Sequence, residues 1–245
     1  MDPQQPPIAS STDVQERKRG DQGDETRQLA RRLRGLNIYL VGMMGAGKSA
    51  VGRPLAAALG YGFLDADTAL EQVAGQSIPS LFAEAGEEGF RELETAVLEQ
   101  IAGFHSQVVA TGGGVVGRPV NWGHLQQGVV VWLDAPAERL LERLRQDPTP
   151  RPLLQTPDPA ARLAELLAHR QPLYAQADLR IHQEGDSPEQ VARQVLAALP
   201  SILRDPQAAV TPPAVQLVDG EGQPVDSLNR GGRPGPASDQ ESDQP

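Results

Sequence analysis

Between residues 35 and about 203 the chain alternates two hydrophobic periodicities. Short runs at 37–41 (NIYLV), 62–67 (GFLDAD), 107–114 (QVVATGGG), 128–134 (GVVVWLD) and 178–181 (DLRI) read as strands apolar on both faces. Between them, segments 68–75, 80–103, 136–146, 158–176 and 188–199 place apolar residues at helical spacing. Buried strands separated by helices predict an α/β domain whose parallel sheet is covered on both sides. In such sheets ligands bind beyond the carboxyl ends of the strands. The polar clusters of this chain fall just after its apolar runs.

The pattern fails at both ends. Residues 1–30 hold hardly any large apolar side chain, and residues 204–245 are rich in Pro, Gly, Gln, Ser and Asp. Neither composition buries enough apolar surface to offset chain entropy. The expected organisation is a disordered extension over 1–34, one domain over 35–203 and a disordered tail over 204–245. The folded part is then of ordinary single-domain size.

Charge and composition narrow the function classes. The whole chain carries a net charge of −10, but residues 1–30 hold six acids and four bases, and residues 201–245 seven and three. The region between holds 19 acids and 15 bases, a net of −4. A mildly acidic core lacks the basic face that nucleic acid requires, although a few arginines suffice for a small anion. With no cysteine, disulfides and thiolate chemistry are excluded. No apolar run approaches a membrane span, and the N-terminus lacks the apolar segment of a secretory signal. The expected compartment is the cytoplasm, with no membrane partner.

The first run opens into Gly42-Met43-Met44-Gly45-Ala46-Gly47-Lys48-Ser49, which fits G-x-x-x-x-G-K-[ST] between a strand and a helix. Glycines let backbone N–H groups turn inward around phosphate oxygens, and the following helix adds its positive end. Lys48 is placed for the outer phosphates, and the Ser49 hydroxyl for Mg²⁺. The chain has only two lysines, Lys18 and Lys48; arginine fills every other basic position of the domain. Pro54, inside the predicted helix, removes a backbone donor and predicts a slight bend.

A phosphate loop specifies nucleotide binding, not a reaction. A guanine-nucleotide switch needs an Asn-Lys-x-Asp element, which two lysines at 18 and 48 exclude. A mechanical ATPase has little room in about 170 residues. A small-molecule kinase needs an acceptor site and arginines for the transferring phosphate, and candidates for both are present. Asp65 and Asp67 follow the second run on one face of an extended segment. Asp65 is placed to hold a Mg²⁺ water, and Asp67 to accept from a substrate hydroxyl and draw off its proton, although Asp67 is equally a helix cap. Arg91 and Glu94, three apart on a helix, form either a carboxylate fork with its holder or a surface ion pair of little worth. Gly112, Gly113 and Gly114 follow a core strand and allow a ligand close to the backbone. Arg151 lies in a Pro-rich segment (147–159) that reads as a mobile flap. Arg170 ends a helical segment and is a second fork or a charge suited to a helix C-terminus.

Taken together and in order, GMMGAGKS, FLDAD, G-E-x-x-F-R-x-x-E, ATGGG, RPLL and R-x-x-L-Y resemble the shikimate kinases over residues 36–200. The resemblance implies a P-loop NTPase fold of nucleoside-monophosphate-kinase type, with a five-stranded parallel sheet and a mobile lid. It implies ATP as phosphoryl donor, Mg²⁺ as metal and the 3-hydroxyl of shikimate as acceptor, on the route to chorismate and aromatic amino acids. Asp67, Arg91, Arg170 and the run Gly112–Gly114 would seat shikimate. Gly45, Ala46, Gly47, Lys48, Ser49 and Ala50 would cradle ATP. Arg151 would come from the lid, Ser49 would ligate Mg²⁺, and Asp65 would act on it through water. Lys48, Asp67 and Arg151 would carry the catalysis. The adenine-side arginine that the resemblance implies is Arg143 or Arg145, with a lean to Arg145. The family is commonly monomeric, and the same is expected here. Gluconate kinase, which shares the loop but not the acceptor motifs, is the nearest rival. A module that binds ATP or shikimate without turnover is the other.

Overall fold

The computed structural model describes residues 23–203 other than 148 and 150. The expectations for residues 1–22 and 204–245 lie outside the described residues. Five strands, β1 (Ile38–Val41), β2 (Gly62–Asp65), β3 (Gln107–Ala110), β4 (Val129–Asp134) and β5 (Leu179–His182), form one sheet in the order β2-β3-β1-β4-β5. Every pairing is parallel. Both faces of β1 are buried, as its uninterrupted apolar run requires. Ile38 and Leu40 enter one buried cluster, Tyr39 and Val41 another on the opposite side of the sheet.

The helices account for the longer periodicities: α1 (residues 23–33), α2 (Lys48–Leu59), α3 (Ala66–Ala74), α4 (Ile78–Ala102), α5 (Pro119–Leu125), α6 (Ala137–Gln146), α7 (Pro159–Tyr174) and α8 (Pro188–Ala198). Pro54 lies inside α2, which runs through it unbroken. α4 is broken at Gly86, whose φ of 68° and ψ of −173° are not helical. The half after the break carries Arg91 and Glu94. This kink and the short α5 were not among the sequence expectations.

One expectation needs correction. The disordered extension predicted over 1–34 includes α1, whose Leu29 and Leu33 are buried at 7% and 0% exposure, in the same cluster as Leu55, Val195 and Leu199. Arg32 also donates to the carbonyl of Leu203 at 2.9 Å, joining the two ends of the described chain. Averaged composition hid this helix, because two leucines at i, i+4 spacing suffice when a preformed apolar face receives them.

Candidate active site

β1 aims the chain into the glycine loop. Gly42 has φ 144°, and a Cβ there would sit 2.5 Å from the carbonyl oxygen of Leu133 on β4, so only glycine lets the loop leave the sheet at this point. The loop is tightened by Ala46 N–H donating to Met43 O at 3.1 Å. It ends at Gly47, the left-handed N-cap of α2 with φ 81°. Lys48 folds back over the loop and donates from Nζ to the carbonyls of Gly42 (2.9 Å) and Met43 (3.1 Å). Burial lowers its pKa to about 8, against the opposing pull of Asp67.

β2 delivers the two aspartates. Ser49 Oγ donates to Asp65 Oδ2 at 2.5 Å. The other oxygen of Asp65 accepts from Asp67 N–H (3.1 Å) and Thr68 N–H (3.3 Å), so Asp65 is the N-cap of α3. The alternative reading of Asp67 as that cap is therefore removed, and its carboxylate lines the cavity. Burial raises the Asp67 pKa above the usual carboxylate value, with Lys48 opposing.

Across the cavity, Arg91 Nη1 meets Glu94 Oε2 at 2.9 Å and Nη2 meets Glu87 Oε1 at 3.1 Å. The Arg91 and Glu94 side chains are 11% and 6% exposed. This is a buried ion pair, not the surface pair that spacing alone also allowed. Burial raises the Glu94 pKa while Arg91 lowers it. The glycine run after β3 passes between these groups. A Cβ at Gly112 would strike Glu94, and one at Gly114 would strike the Arg91 guanidinium. Arg170, buried at the end of α7, donates to Gly113 O at 3.1 Å, and Tyr174 OH donates to the same oxygen at 2.5 Å. Arg151 Nη2 binds Asp147 Oδ2 at 2.8 Å.

Most of these groups, though not Gly42, Met43, Glu87 or Tyr174, line one cavity of about 460 Å³ at the carboxyl ends of β1, β2 and β3. Of the residues predicted from sequence, Lys48, Ser49, Ala50, Asp65, Asp67, Arg91, Arg151, Arg170, Gly45, Gly47 and Gly112–Gly114 all line it. Ala46 does not; it is buried, and only its backbone belongs to the loop. Arg145 does not either. It is exposed, whereas Arg143, two residues earlier on α6, lines the cavity and donates to Gly45 O at 3.3 Å and to Gln183 Oε1 at 3.2 Å. The lean to Arg145 is not supported by this placement, which brings Arg143 and not Arg145 to the cavity: a two-residue step turns a helical side chain about 200° around the axis. Sequence reasoning also passed over Tyr174 as a donor, Phe82 and Phe90 as apolar walls, and Gln183. The tyrosine stood in a quoted motif, but its hydroxyl contact depends on how α7 meets the glycine run.

A parallel sheet whose central strand ends in a phosphate-binding nest, faced by buried arginine forks and an aspartate, defines a P-loop kinase for small molecules. The family model for shikimate kinase matches residues 44–200. A shikimate kinase of Synechococcus sp. (strain RCC307) is 55% identical over 188 residues, covering 77% of this chain and 96% of its own length. One from Nostoc sp. (strain PCC 7120 / SAG 25.82 / UTEX 2576) is 52% identical over 173 residues, covering 70% and 95%. The solved shikimate kinase from Acinetobacter baumannii in complex with shikimate superposes with a TM-score of 0.67 at 41% identity, covering 71% of this chain and 97% of that one. The chain belongs to the shikimate kinase family.

Proposed function

We propose that this protein transfers the γ-phosphoryl group of ATP to the 3-hydroxyl of shikimate, with Mg²⁺, in aromatic amino-acid biosynthesis, and that the cavity residues divide the work as follows. The observation that carries the reading is that a single cavity is lined both by Lys48 and the glycine loop and by Arg91, Arg170 and Asp67. The substrate is a small carboxylate with three hydroxyls. Guanidinium forks suit its carboxylate, and Asp67 suits a hydroxyl.

The residues fit a magnesium site of the phosphate-dependent kind. Ser49 and Asp65 offer hard oxygens in contact with each other. Among the described residues no cluster of three or more His, Cys, Asp or Glu could hold a metal alone, and Mg²⁺ ordinarily completes its shell with water and phosphate. Held there, Mg²⁺ would supply positive charge to neutralise the phosphates. Ser49 would ligate it and Asp65 would act on it through water.

Lys48 supplies a compact cation to the outer phosphates. Asp67 orients the acceptor hydroxyl and receives its proton; a carboxyl whose pKa is raised by burial holds that proton better than an exposed one. Arg91 and Arg170 seat the substrate carboxylate, and Gly112–Gly114 form the close floor beneath the ring. Arg143 lies on the nucleotide side of the loop. Arg151, on the segment read as a flap over 147–159, contributes charge stabilisation to the transferring group and helps exclude water. The lining of the cavity suits a small anionic substrate, and the protein is taken to act on it as a monomer. No helix among the described residues is long and apolar enough to cross a membrane.

The test is ADP release by purified protein with Mg-ATP and either shikimate or gluconate. Release that depends on shikimate is expected. Release with gluconate alone moves the assignment to gluconate kinase, and binding of ATP and shikimate without turnover makes the protein a non-catalytic module.

A further inference from the structure

Gln183 takes part in none of the roles above, yet it touches the phosphate loop. It follows β5 directly and is 2% exposed. Its backbone N–H donates to Asp134 O at 2.8 Å, which fixes the residue to the end of β4. Its carboxamide has a partner on each side. Nε2 donates to the carbonyl of Ala46 at 3.0 Å, and Oε1 accepts from Arg143 Nη1 at 3.2 Å. The orientation of the amide is decided by these partners, because a carbonyl can only accept and a guanidinium can only donate.

The geometry has a consequence for the anion nest. Gln183 holds the Ala46 carbonyl on the side of β5, away from the cavity. In a trans peptide the carbonyl and the next N–H point in opposite directions. Pinning Ala46 O therefore turns the N–H of Gly47 the other way. Gly47 lines the cavity, and among the described residues no backbone carbonyl takes its N–H. Gly47 also stands at φ 81°, in a region that glycine leaves as readily as it enters. The loop thus has a peptide free to rotate in principle, held from behind by one side chain.

We propose that Gln183 is a positioning residue for phosphoryl-donor binding: its Nε2–H···O bond to Ala46 fixes the 46–47 peptide with the Gly47 N–H directed at the phosphate site. Arg143 completes the device. Its bonds to Gly45 O and to Gln183 Oε1 fix a second loop carbonyl and the carboxamide at once. A loop preorganised in this way binds polyphosphate without spending binding energy on ordering the peptide. The shikimate side of the cavity contains neither residue's contacts, so its affinity is independent of them. This proposal rests on the reading of the loop as the ATP site.

The experiment uses the full chain and calorimetric titration with MgADP and, separately, with shikimate, at a temperature well below unfolding. Two variants divide the contacts. Gln183→Met keeps the volume and removes both bonds. Gln183→Glu keeps an acceptor for Arg143 but, once ionised at pH 8, offers no donor to Ala46 O. Loss of one such bond corresponds to a threefold to tenfold effect, roughly. Both variants are expected to weaken MgADP by about that factor and to leave shikimate affinity within twofold of the wild type. A merely structural role would move both ligands together, and that result overturns the proposal. MgADP affinity unchanged in both variants also overturns it. If Gln183→Glu binds like the wild type while Gln183→Met is weak, the Arg143 contact is the operative one and the role given to the Ala46 bond is wrong. Failure of the wild type itself to bind MgADP refutes the nucleotide reading of the loop, and this proposal with it.

Discussion

Ser49 and Asp65, sixteen residues apart in sequence, meet at 2.5 Å where the first turn of α2 passes the end of β2. The two oxygens of Asp65 do different work: Oδ2 takes the Ser49 hydroxyl, and Oδ1 caps α3. Asp65→Asn retains a capping oxygen while losing the charge. It is expected to raise the Mg²⁺ concentration needed for half-maximal ADP release by about tenfold, the usual penalty for disturbing a metal's outer partners, with little change in urea stability. Asp65→Ala removes the cap as well and is expected to cost about 1 kcal/mol more in unfolding. Equal Mg²⁺ requirements in Asp65→Asn and the wild type would remove Asp65 from the metal's surroundings.

Arg91 and Glu94 give a pH signature. Removing Arg91 leaves the Glu94 carboxylate buried without its main cation, and its Oε1 already has no hydrogen-bond partner. Breaking such a pair costs about 3 kcal/mol. Burial raises the Glu94 pKa and Arg91 opposes the rise, so Arg91→Ala raises it further. For a carboxyl raised on folding, the favourable contribution is fully present below the unfolded value near 4.5 and is lost as pH rises through the folded value. The stability deficit of Arg91→Ala is therefore expected to be small near pH 5 and largest near pH 8, measured by urea denaturation at both. Adding Glu94→Gln should recover most of it at pH 8. A deficit that does not change with pH would show that the lost stability comes from packing and not from the stranded charge.

The contrast between these two pairs shows what was legible beforehand. Apolar periodicity was enough for the five strands and most helices, because both faces of a buried parallel sheet must be apolar. Motif residues such as Lys48, Asp67 and Arg170 were legible because their chemistry limits the residue type. What could not be read was which side of an element faces the cavity. Arg143 and Arg145 lie two residues apart on α6 and are chemically identical, and only the rotation of that helix against the loop separates them. The capping role likewise fell to Asp65 instead of Asp67, since either residue type can cap and the start of α3 differs by one or two positions between the two readings.

Lys48 makes a prediction about protons. Burial lowers its pKa to about 8, so near pH 8 the empty protein carries this amine about half-neutral. A bound polyphosphate favours the ammonium and draws a proton back. MgADP binding at pH 8 is expected to take up as much as about half a proton and much less at pH 6.5. Calorimetry in buffers of different ionisation enthalpy measures this directly. Lys48→Arg, whose guanidinium stays protonated, should show no uptake at pH 8 whatever its affinity. The same shift fixes a sign for stability. Between about 8 and the ordinary value of 10.5 the unfolded chain binds more protons, so the empty protein gains stability as pH rises through that window. Uptake that is equal at the two pH values would mean that the amine in the empty loop is not depressed.

The helix over residues 23–33 is the part of the fold that composition concealed, and its contribution is measurable. Leu33 is fully buried and Leu29 nearly so, in the cluster that also holds Leu55 and Leu199. Truncating a leucine in such a setting costs about 2–5 kcal/mol, because the lost transfer energy is joined by the cavity left behind. Leu33→Ala is expected to lower the unfolding free energy by an amount in that range, read from urea denaturation. A chain lacking residues 1–34 exposes the cluster and should fall with Leu33→Ala or below it. No residue of α1 lines the cavity that holds Lys48 and Asp67. ADP release at low temperature, where all three proteins are folded, should therefore be equal among them. Stability unaffected by the truncation would mean that α1 rests on the domain without supporting it, and the domain would then begin at residue 35 as composition alone suggested.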